Sequence, residues 1–388
     1  MRVRSGLDVL LAENPSWLRR YSRVGLLTHQ AAVTGHLVPA HLALKELLGP
    51  RLKRLLSPQH GLYGTEQANM IGTPDREDPL TGLPIYSLYG PRLAPSAEVL
   101  ADLDLLLVDL QDVGCRVYTY LWTLWLLLPA AEKAGVEVVV LDRPNPLGST
   151  LEGPLLQPEY SSLVGYAELP LRHGLTPGEA ALLFHRRQRL SLPLRVIKMT
   201  GYRRRMYFPE TGLPWVPPSP NMPSFHTALV YPGQVLLEGT NLSEGRGTTR
   251  PFELFGAPWL DPRRVLRILG DIDLPGVRLR PTLFTPTFDK WRGQICRGFQ
   301  LHVLDPRLFQ PVRTSLKILR AVALTHSEFS FRPPPYEFEE KKKPIEIISG
   351  HPCIPSYIAG NMDEEGLDFC LKEGLTYYAK EVASLGLY

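Results

Sequence analysis

The chain has 388 residues, of which 44% are hydrophobic and 21% charged, and this length exceeds what one compact core usually holds. Its 43 basic and 39 acidic residues leave a formal net charge of +4, which is too small and too dispersed for the basic surface that nucleic acids or anionic membranes require. We therefore expect two domains and neither a nucleic-acid nor a membrane partner.

The first half of the chain alternates short runs rich in Val, Leu and Ile with helix-length amphipathic segments. The runs predict strands at 24–28, 52–57, 105–109, 136–141 and 194–198, and the segments between them predict helices at 39–48, 118–133 and 176–187. Thr176, Pro177 and Glu179 form a capping box with proline at the first helical position, which fixes the start of the last helix. Because the runs are continuously apolar, the strands are covered on both faces, as in a parallel sheet with crossover helices. The predicted class is α/β.

Targeting segments and cysteines restrict the cellular setting. The first 22 residues alternate charged and apolar positions and offer no apolar region for a signal peptidase. The longest apolar run, 120–131, is shorter than the roughly 20 residues that cross a bilayer. We expect a cytoplasmic protein. Its four cysteines form no CxxC pair and are expected to be reduced and structural: Cys115, Cys296, Cys353 and Cys370.

The second half of the chain has a different residue pattern. Seven prolines lie within 209–232, so this segment is unlike a sheet interior and is expected to form an ordered wall or a domain connection. Beyond it, helices are predicted at 261–269, 308–324 and 365–387, an alternating strand at 294–303, and a solvated loop at 341–343. The predicted domains are 1–232 and 233–388, the second being a smaller α+β domain that contributes to the cleft.

Polar side chains follow three of the predicted strands, where ligands bind in open α/β sheets. The sequences are SPQHGLYGTE from Ser57, DLQDVGCRVYTY from Asp109 and DRPNP from Asp142. A fourth polar, glycine-rich segment extends from Glu238 to Thr249. Each residue alone could equally cap a turn or hold a neighbour, but their convergence predicts one binding cleft. The chain has neither a Walker loop, nor GxGxxG after a strand, nor HExxH, so neither a cofactor nor a metal is expected.

These motifs resemble the exo-β-N-acetylmuramidase family of the NamZ type. The resemblance rests on SPQHG at Ser57, GLPIYSLYG at Gly82, DLQDVGCRVYTY at Asp109, LDRPNPLG at Leu141, PSPNMP at Pro218, EGTNLSEGRGTTRPFELFGAPW at Glu238, and Phe288-Asp289-Lys290 with Gly293 and Cys296 to Gly298. It implies a Rossmann-like N-terminal domain. It also implies a glycoside hydrolase that releases β-linked N-acetylmuramic acid from the non-reducing end of peptidoglycan fragments, with carbohydrate as its only expected partner.

One position departs from the family pattern. Where the family typically has Pro-Glu-His-Gly, with that glutamate a favoured catalytic candidate, this chain has Gln59. Glutamine neither donates nor accepts a catalytic proton, so another carboxylate must serve or the activity is altered. Glu66 in the same loop and Glu238 after the apolar run 235–237 are the candidate acids, and Asp112 is the candidate ionised partner. His60 is the fourth catalytic candidate.

Muramic acid carries a lactyl ether with a carboxylate, which arginine recognises in a bidentate manner. Arg116 and Arg143 are the preferred candidates for this contact, with Arg246 the third. The full set of candidate substrate-binding residues is Gln59, Asp109, Gln111, Arg116, Tyr118, Asp142, Arg143, Asn145, Asn221, Asn241, Glu244 and Arg246. The alternative function is a non-catalytic protein that binds muropeptides or a related acidic sugar. A third interpretation, a Rossmann-type phosphoesterase or nucleotide enzyme, would need a phosphate-binding loop or a metal cluster, and the sequence has neither motif.

Overall fold

A computed structural model describes residues 2–67, 70–270 and 272–388. Its strands in the first half of the chain, in order, are β1 (Val24–Thr28), β2 (Leu52–Ser57), β3 (Arg76–Glu77), β4 (Pro84–Ser87), β5 (Leu105–Asp109), β6 (Glu137–Leu141), β7 (Glu152–Leu155), β8 (Pro170–Arg172) and β9 (Leu194–Ile197). The helices of this half are α1 (Gly6–Glu13), α2 (Ala40–Leu48), α3 (Ala97–Leu100), α4 (Tyr120–Ala134) and α5 (Pro177–Arg187).

Within the described residues, seven strands form one sheet in the order β3-β4-β2-β1-β5-β6-β9. All neighbours pair in parallel except β3, which is antiparallel to β4 at the edge of the sheet. Without β3, the strands numbered along the chain lie in the Rossmann order 3-2-1-4-5-6. The predicted α/β class and the Rossmann-like sheet are confirmed, and all five predicted strands belong to this sheet.

The helices begin and end where local chemistry dictates. Thr176 caps α5 and accepts from the backbone N–H of Glu179, whose carboxylate accepts in return from the N–H of Thr176, which is the predicted capping box. The buried α4 contains Pro129 and is capped at its C-terminus by Gly135, which has a left-handed backbone. The small hairpin of β7 and β8 was not predicted; it lies between β6 and α5 in the chain.

The second half combines a three-stranded antiparallel sheet with helices. Its strands are β10 (Leu254–Ala257), β11 (Val277–Phe284) and β12 (Cys296–Val303), with β12 in the middle. Its helices are α6 (Phe225–Gln234), α7 (Pro262–Leu269), α8 (Pro311–Thr325), α9 (Pro344–Ser349), α10 (Cys353–Ile358), α11 (Glu364–Lys372) and α12 (Leu375–Ala383). This arrangement confirms the predicted smaller α+β part. The division at 232/233 stays a prediction, and that position lies within α6.

Two expectations for the C-terminal part are wrong. The predicted helix 365–387 is two helices, because Gly374 between α11 and α12 adopts a φ of 71°, a conformation that glycine tolerates and that ends a helical path. Cys353 and Cys370, expected to be reduced, form a disulfide that joins α10 to α11. Cys115 and Cys296 are free and buried, as predicted.

One apolar core connects the two halves of the chain. A single cluster of buried side chains includes Leu106 of β5, Leu229 of α6, Val312 of α8 and Ile348 of α9. The C-terminal helices therefore share one core with the Rossmann-like sheet, and α8 and α11 contact β7, which fixes the loops of both halves relative to each other. No helix in the described residues has the length and apolar character needed to cross a membrane.

Candidate active site

The two halves enclose a cleft made of an outer and an inner pocket. The outer pocket has a volume of about 340 Å³, and Glu244, Asp289 and Arg332 line it. The narrow inner pocket, of about 30 Å³, is lined by Gln59, His60 and Glu337, among others. Both pockets share the side chains of Glu238, Arg246 and Tyr336, and we call them together the cleft.

Loops at the carboxyl ends of parallel strands deliver the inner wall of the cleft, as expected for an open α/β sheet. Gln59 and His60 follow β2, and Val117, Tyr118 and Thr119 follow β5. The proline-rich segment adds Ser219, Asn221 and Met222, so it forms the ordered wall that its composition predicts. Glu238 lies on a short 3-10 helix after α6. The loop beginning at Asp142 was expected in this wall but does not line the cleft.

Arg143 and Arg116 are structural, contrary to the expected carboxylate recognition. The Arg143 guanidinium pairs with buried Asp109, with Nη2 2.9 Å from Oδ2, and also donates to the carbonyl of Val33. Arg116 is fully buried and donates to four backbone carbonyl groups, those of Pro154, Leu169, Ile348 and Ser349. Neither guanidinium reaches the cleft. Asp109, a candidate for binding substrate, is the partner of Arg143 instead.

Asp112 and Glu66 do not line the cleft either. Asp112 is fully buried, and its Oδ2 accepts from the N–H of Gly114 at 2.6 Å and lies 3.2 Å from Nε2 of His173. Glu66 contributes its backbone carbonyl, 2.6 Å from Nδ1 of His60, rather than its carboxylate. The proposed roles of Asp112 as ionised partner and of Glu66 as acid therefore lack support from the geometry.

Asp142 is a buried carboxyl that accepts several hydrogen bonds outside the cleft. It accepts from Thr176 Oγ1, from the N–H of Gly178 and from the Tyr388 hydroxyl at 2.8 Å. Burial raises the pKa of Asp142 to about 7 despite these hydrogen bonds. Three further candidates bond backbone carbonyls outside the cleft: Gln111 those of Asp112 and Pro144, Asn145 that of Leu175, and Asn241 that of Glu328.

Four charged side chains form a connected ion-pair network along the cleft. Arg246 Nη2 lies 2.7 Å from Glu238 Oε1, and Arg246 Nε lies 3.2 Å from Glu244 Oε1. Lys290 Nζ lies 2.6 Å from the second oxygen of Glu244. Burial opposes the ionisation of Glu244, but Lys290 and Arg246 outweigh it and lower its pKa. The Glu238 and Glu244 carboxylates together raise the pKa of Arg246, so this guanidinium stays charged and engaged.

Glu337 is the acidic group that the sequence analysis missed. Its side chain is 4% exposed, its Oε2 accepts from the Tyr89 hydroxyl at 2.5 Å, and its Oε1 accepts weakly from Gln59 Nε2 at 3.4 Å. The amide of Gln59 is oriented by the Thr119 hydroxyl, which donates to Oε1 at 2.6 Å. Burial raises the pKa of Glu337 to about 7; the Tyr89 hydrogen bond opposes this shift and the nearby charge of Glu238 adds to it.

The backbone is strained at this acid and at two residues near it. Glu337 has a φ of 46°, Phe338 of 65°, and His60 across the inner pocket has a φ of 71°. Non-glycine residues in the left-handed region cost on the order of 1 kcal/mol or more and persist where surrounding structure holds them, often at active sites. The Tyr336 hydroxyl, next to Glu337 in the chain, donates to Glu238 Oε2 at 2.5 Å, so both carboxylates are held by the same segment.

His60 is a neutral side chain in the inner pocket. Burial lowers its pKa to about 4. Because a carbonyl oxygen only accepts, the contact with Glu66 places the ring proton on Nδ1 and leaves Nε2 as an acceptor. His60 is therefore suited to accept a hydrogen bond from a substrate hydroxyl rather than to act as an acid.

The sequence contained only a weak signal for Glu337. It lies in PPPYEFEEKKK, where the charges that follow favour a solvated loop, and Lys341 and Lys343 are indeed exposed. Three prolines that fix the backbone before a tyrosine and an acid could have drawn attention to it. The contact itself joins residues 278 positions apart, which no local pattern reveals.

A larger groove elsewhere is not the candidate site. It has a volume of about 840 Å³ and lies beside α1 and α2, with a mainly apolar lining. One of its two acids, Asp8, completes the capping box of α1 with Ser5, so the hydrogen-bonding capacity of Asp8 serves the helix. The cleft instead concentrates charged and polar groups.

Comparisons with known proteins match most of the chain. The family described as exo-beta-N-acetylmuramidase NamZ, N-terminal, matches residues 24–226, and the corresponding C-terminal family matches residues 229–388. The chain is 44% identical over 323 residues, 83% of its length, to the peptidoglycan beta-N-acetylmuramidase NamZ of Bacillus subtilis, covering 77% of that protein.

Two crystal structures of DUF1343 family proteins from Bacteroides fragilis share the fold. The first has a TM-score of 0.86 at 31% identity and the second a TM-score of 0.78 at 25% identity. Each match covers 99% of this chain and 98% of the other.

Proposed function

The chain belongs to the exo-beta-N-acetylmuramidase NamZ family and is an exo-acting glycosidase, and we propose that it releases β-linked N-acetylmuramic acid from the non-reducing ends of peptidoglycan fragments. The observation that carries the proposal is the pair of carboxyl groups in the cleft, Glu337 and Glu238. Glycoside hydrolysis normally uses one carboxyl that is protonated and a second that is ionised. The outer pocket, at about 340 Å³, has the size typical of sites for a small ligand.

Glu337 is the general acid in this proposal. A pKa of about 7 keeps a large fraction of the carboxyl protonated near neutral pH, where a general acid works best. The Tyr89 hydroxyl occupies Oε2, and within the described part of the chain Oε1 has only the long contact with Gln59, so Oε1 is the oxygen that holds and delivers the proton. The proton passes to the glycosidic oxygen as the bond from that oxygen to the anomeric carbon breaks.

Glu238 is the ionised partner. Its carboxylate accepts from Arg246 Nη2 and from the Tyr336 hydroxyl. Negative charge in the cleft stabilises the oxocarbenium character that develops on the sugar ring. A water molecule then adds to the anomeric carbon, and its proton returns to the carboxylate of Glu337, which restores the acid.

The assignment of Glu337 as the acid argues against the alternative function, binding without catalysis. The alternative is a non-catalytic binding protein, since position 59 holds an amide where the resemblance implies a carboxyl. The Gln59 amide, however, contacts the carboxyl of Glu337, so an acid is present at the same part of the cleft. That contact favours catalysis over binding alone.

The test compares Glu337→Gln with the wild type on two substrates. One is an N-acetylmuraminide with a phenol leaving group, and the other is a disaccharide in which N-acetylmuramic acid is linked to a sugar. We expect loss of at least about 100-fold in turnover of the disaccharide and a much smaller loss with the phenol, which departs without protonation. Calorimetry with N-acetylmuramic acid measures binding separately.

Glu340→Gln is the matched control, because Glu340 lies three residues away and is exposed. It should retain both activities. Wild-type protein that binds N-acetylmuramic acid but turns over neither substrate would overturn the enzymatic proposal, and equal losses on both substrates in Glu337→Gln would overturn the acid assignment.

A further inference from the structure

Among the residues that the structure describes, one arginine of the cleft has a charge without a protein partner. Arg332 lines the outer pocket together with Glu238 and Tyr336. Across residues 2–67, 70–270 and 272–388, its guanidinium has neither a hydrogen bond nor an ion pair, and the residue is exposed. The other arginine of the cleft, Arg246, is already engaged by two carboxylates.

The backbone fixes the position of Arg332 close to the catalytic groups. Its N–H donates to the carbonyl of Gly239 at 2.9 Å, and the neighbouring Phe331 forms a β-bridge with Thr240. Arg332 is thereby held against the residue that follows Glu238. On its other side, three prolines connect it to Tyr336, whose hydroxyl bonds Glu238. A flexible side chain thus extends from a rigid base at the rim of the pocket.

Several carboxylates line the outer pocket, so the charge of Arg332 matters for the binding of an anionic ligand there. Glu238, Glu244 and Asp289 line the same pocket, and burial, followed by the charge of Glu244, raises the pKa of Asp289. An anionic ligand would be repelled by these carboxylates unless a cation faced it. Arg246 is already paired with Glu238 and Glu244. Arg332 is therefore the cation that can bind a ligand carboxylate.

Resting on the proposed function, we propose that Arg332 determines specificity by binding the lactyl carboxylate of N-acetylmuramic acid. The guanidinium offers parallel N–H donors that match a carboxylate, whereas the corresponding N-acetylglucosamine substrate has only a hydroxyl at that position. Recognition of the sugar is thus separated from cleavage: Glu337 and Glu238 act at the glycosidic bond, and Arg332 selects the ring that is presented to them.

The experiment measures KM and kcat for Arg332→Ala and Arg332→Lys with phenol-type N-acetylmuraminide and N-acetylglucosaminide substrates. A charge-assisted contact contributes about 1.5 to 3 kcal/mol, so the alanine variant should raise KM for the muraminide about 10- to 100-fold. Activity on the glucosaminide and kcat for the muraminide should change little. The lysine variant, which keeps the charge but loses the fork, should lie between.

Two controls make the outcome decisive. Arg267→Ala removes an exposed arginine of α7 outside the cleft and should leave both KM values unchanged. The methyl ester of the muraminide lacks the charge, and its KM should be the same for wild type and Arg332→Ala.

Each result has a distinct meaning. If wild-type protein cleaves the muraminide and Arg332→Ala raises KM for both sugars equally, or for the ester as much as for the acid, the inference is wrong while the proposed function stands. If wild-type protein cleaves neither sugar, the proposed function itself fails. In that case, inhibition or binding constants for free N-acetylmuramic acid and N-acetylglucosamine still decide whether Arg332 reads the carboxylate.

Discussion

The side-chain amide of Gln59 points its Nε2 at the carboxyl of Glu337, 3.4 Å away. The two residues are far apart in the chain. Gln59 follows β2 of the Rossmann-like sheet, and Glu337 lies in the segment before α9. The Thr119 hydroxyl fixes the amide so that its donor faces the acid. An amide at position 59 therefore positions a carboxyl that another part of the chain supplies.

The first prediction concerns the pH dependence of activity. A general acid must be protonated, so kcat/KM should fall as pH rises through about 7, the pKa of Glu337. The Tyr89 hydroxyl lowers this pKa by donating to the carboxylate. Tyr89→Phe should consequently raise the pKa and move the basic limb to higher pH. A limb that stays in place, or moves to lower pH, would contradict the assignment.

The second prediction separates structure from specificity at Arg116. This buried guanidinium satisfies carbonyl groups of β7, of α9 and of the residues around them. Arg116→Met would leave these acceptors without partners and should lower the free energy of unfolding by about 3 kcal/mol or more. Chemical denaturation measures the loss. The ratio of KM values for muraminide and glucosaminide should stay at the wild-type value in the protein that remains folded, and a selective rise for the muraminide would restore Arg116 as a binding residue.

The third prediction concerns the disulfide between Cys353 and Cys370, which are 17 residues apart. Closing a loop of that length restricts the unfolded chain and contributes about 3 kcal/mol. Reduction, or the double change Cys353→Ser and Cys370→Ser, should lower Tm by a similar amount in each case. Reductant should have no further effect on the double variant, because Cys115 and Cys296 are free thiols. An unchanged Tm in reductant would count against the bond.

The sheet could be predicted from the sequence because its signal is local. Continuous apolar runs gave 24–28, 52–57 and 105–109 with the bounds that the structure has, and Thr176 marked the start of α5 through its capping chemistry. The second half was less predictable. Gly374 lies within an otherwise helical pattern, where a sequence offers no means to distinguish a tolerated glycine from a helix end.

The candidate site was predictable only in part, since its parts meet through tertiary structure. Gln59, His60, Tyr118, Asn221, Glu238, Glu244 and Arg246 were named from sequence and do line the cleft. The sequence did not show that Arg116 and Arg143 are structural. Whether an arginine binds carbonyl groups or pairs with an aspartate depends on tertiary packing. Glu337 and Arg332 were missed for the converse reason: their proline-rich loop resembles solvated surface until it is placed against Glu238.

The last prediction concerns Gln59→Glu, which introduces the carboxyl that the resemblance implies at this position. If position 59 carried the missing acid, this change would raise turnover of a sugar leaving group by orders of magnitude. The structure argues otherwise, because the new carboxyl would face Glu337 where the amide now donates. Two carboxyl groups at that distance cannot both ionise readily, so they share a proton and titrate as a pair, with one pKa strongly raised. We expect the basic limb of the pH profile to move upward by about 1 pH unit or more, with a gain in turnover at neutral pH of less than about 10-fold.

Gln59→Leu, which removes the donor without adding charge, should also move the limb upward because the Gln59 contact lowers the pKa of Glu337. A large gain in Gln59→Glu that persists in the double variant Gln59→Glu and Glu337→Gln would show that position 59, and not Glu337, is the place of the acid.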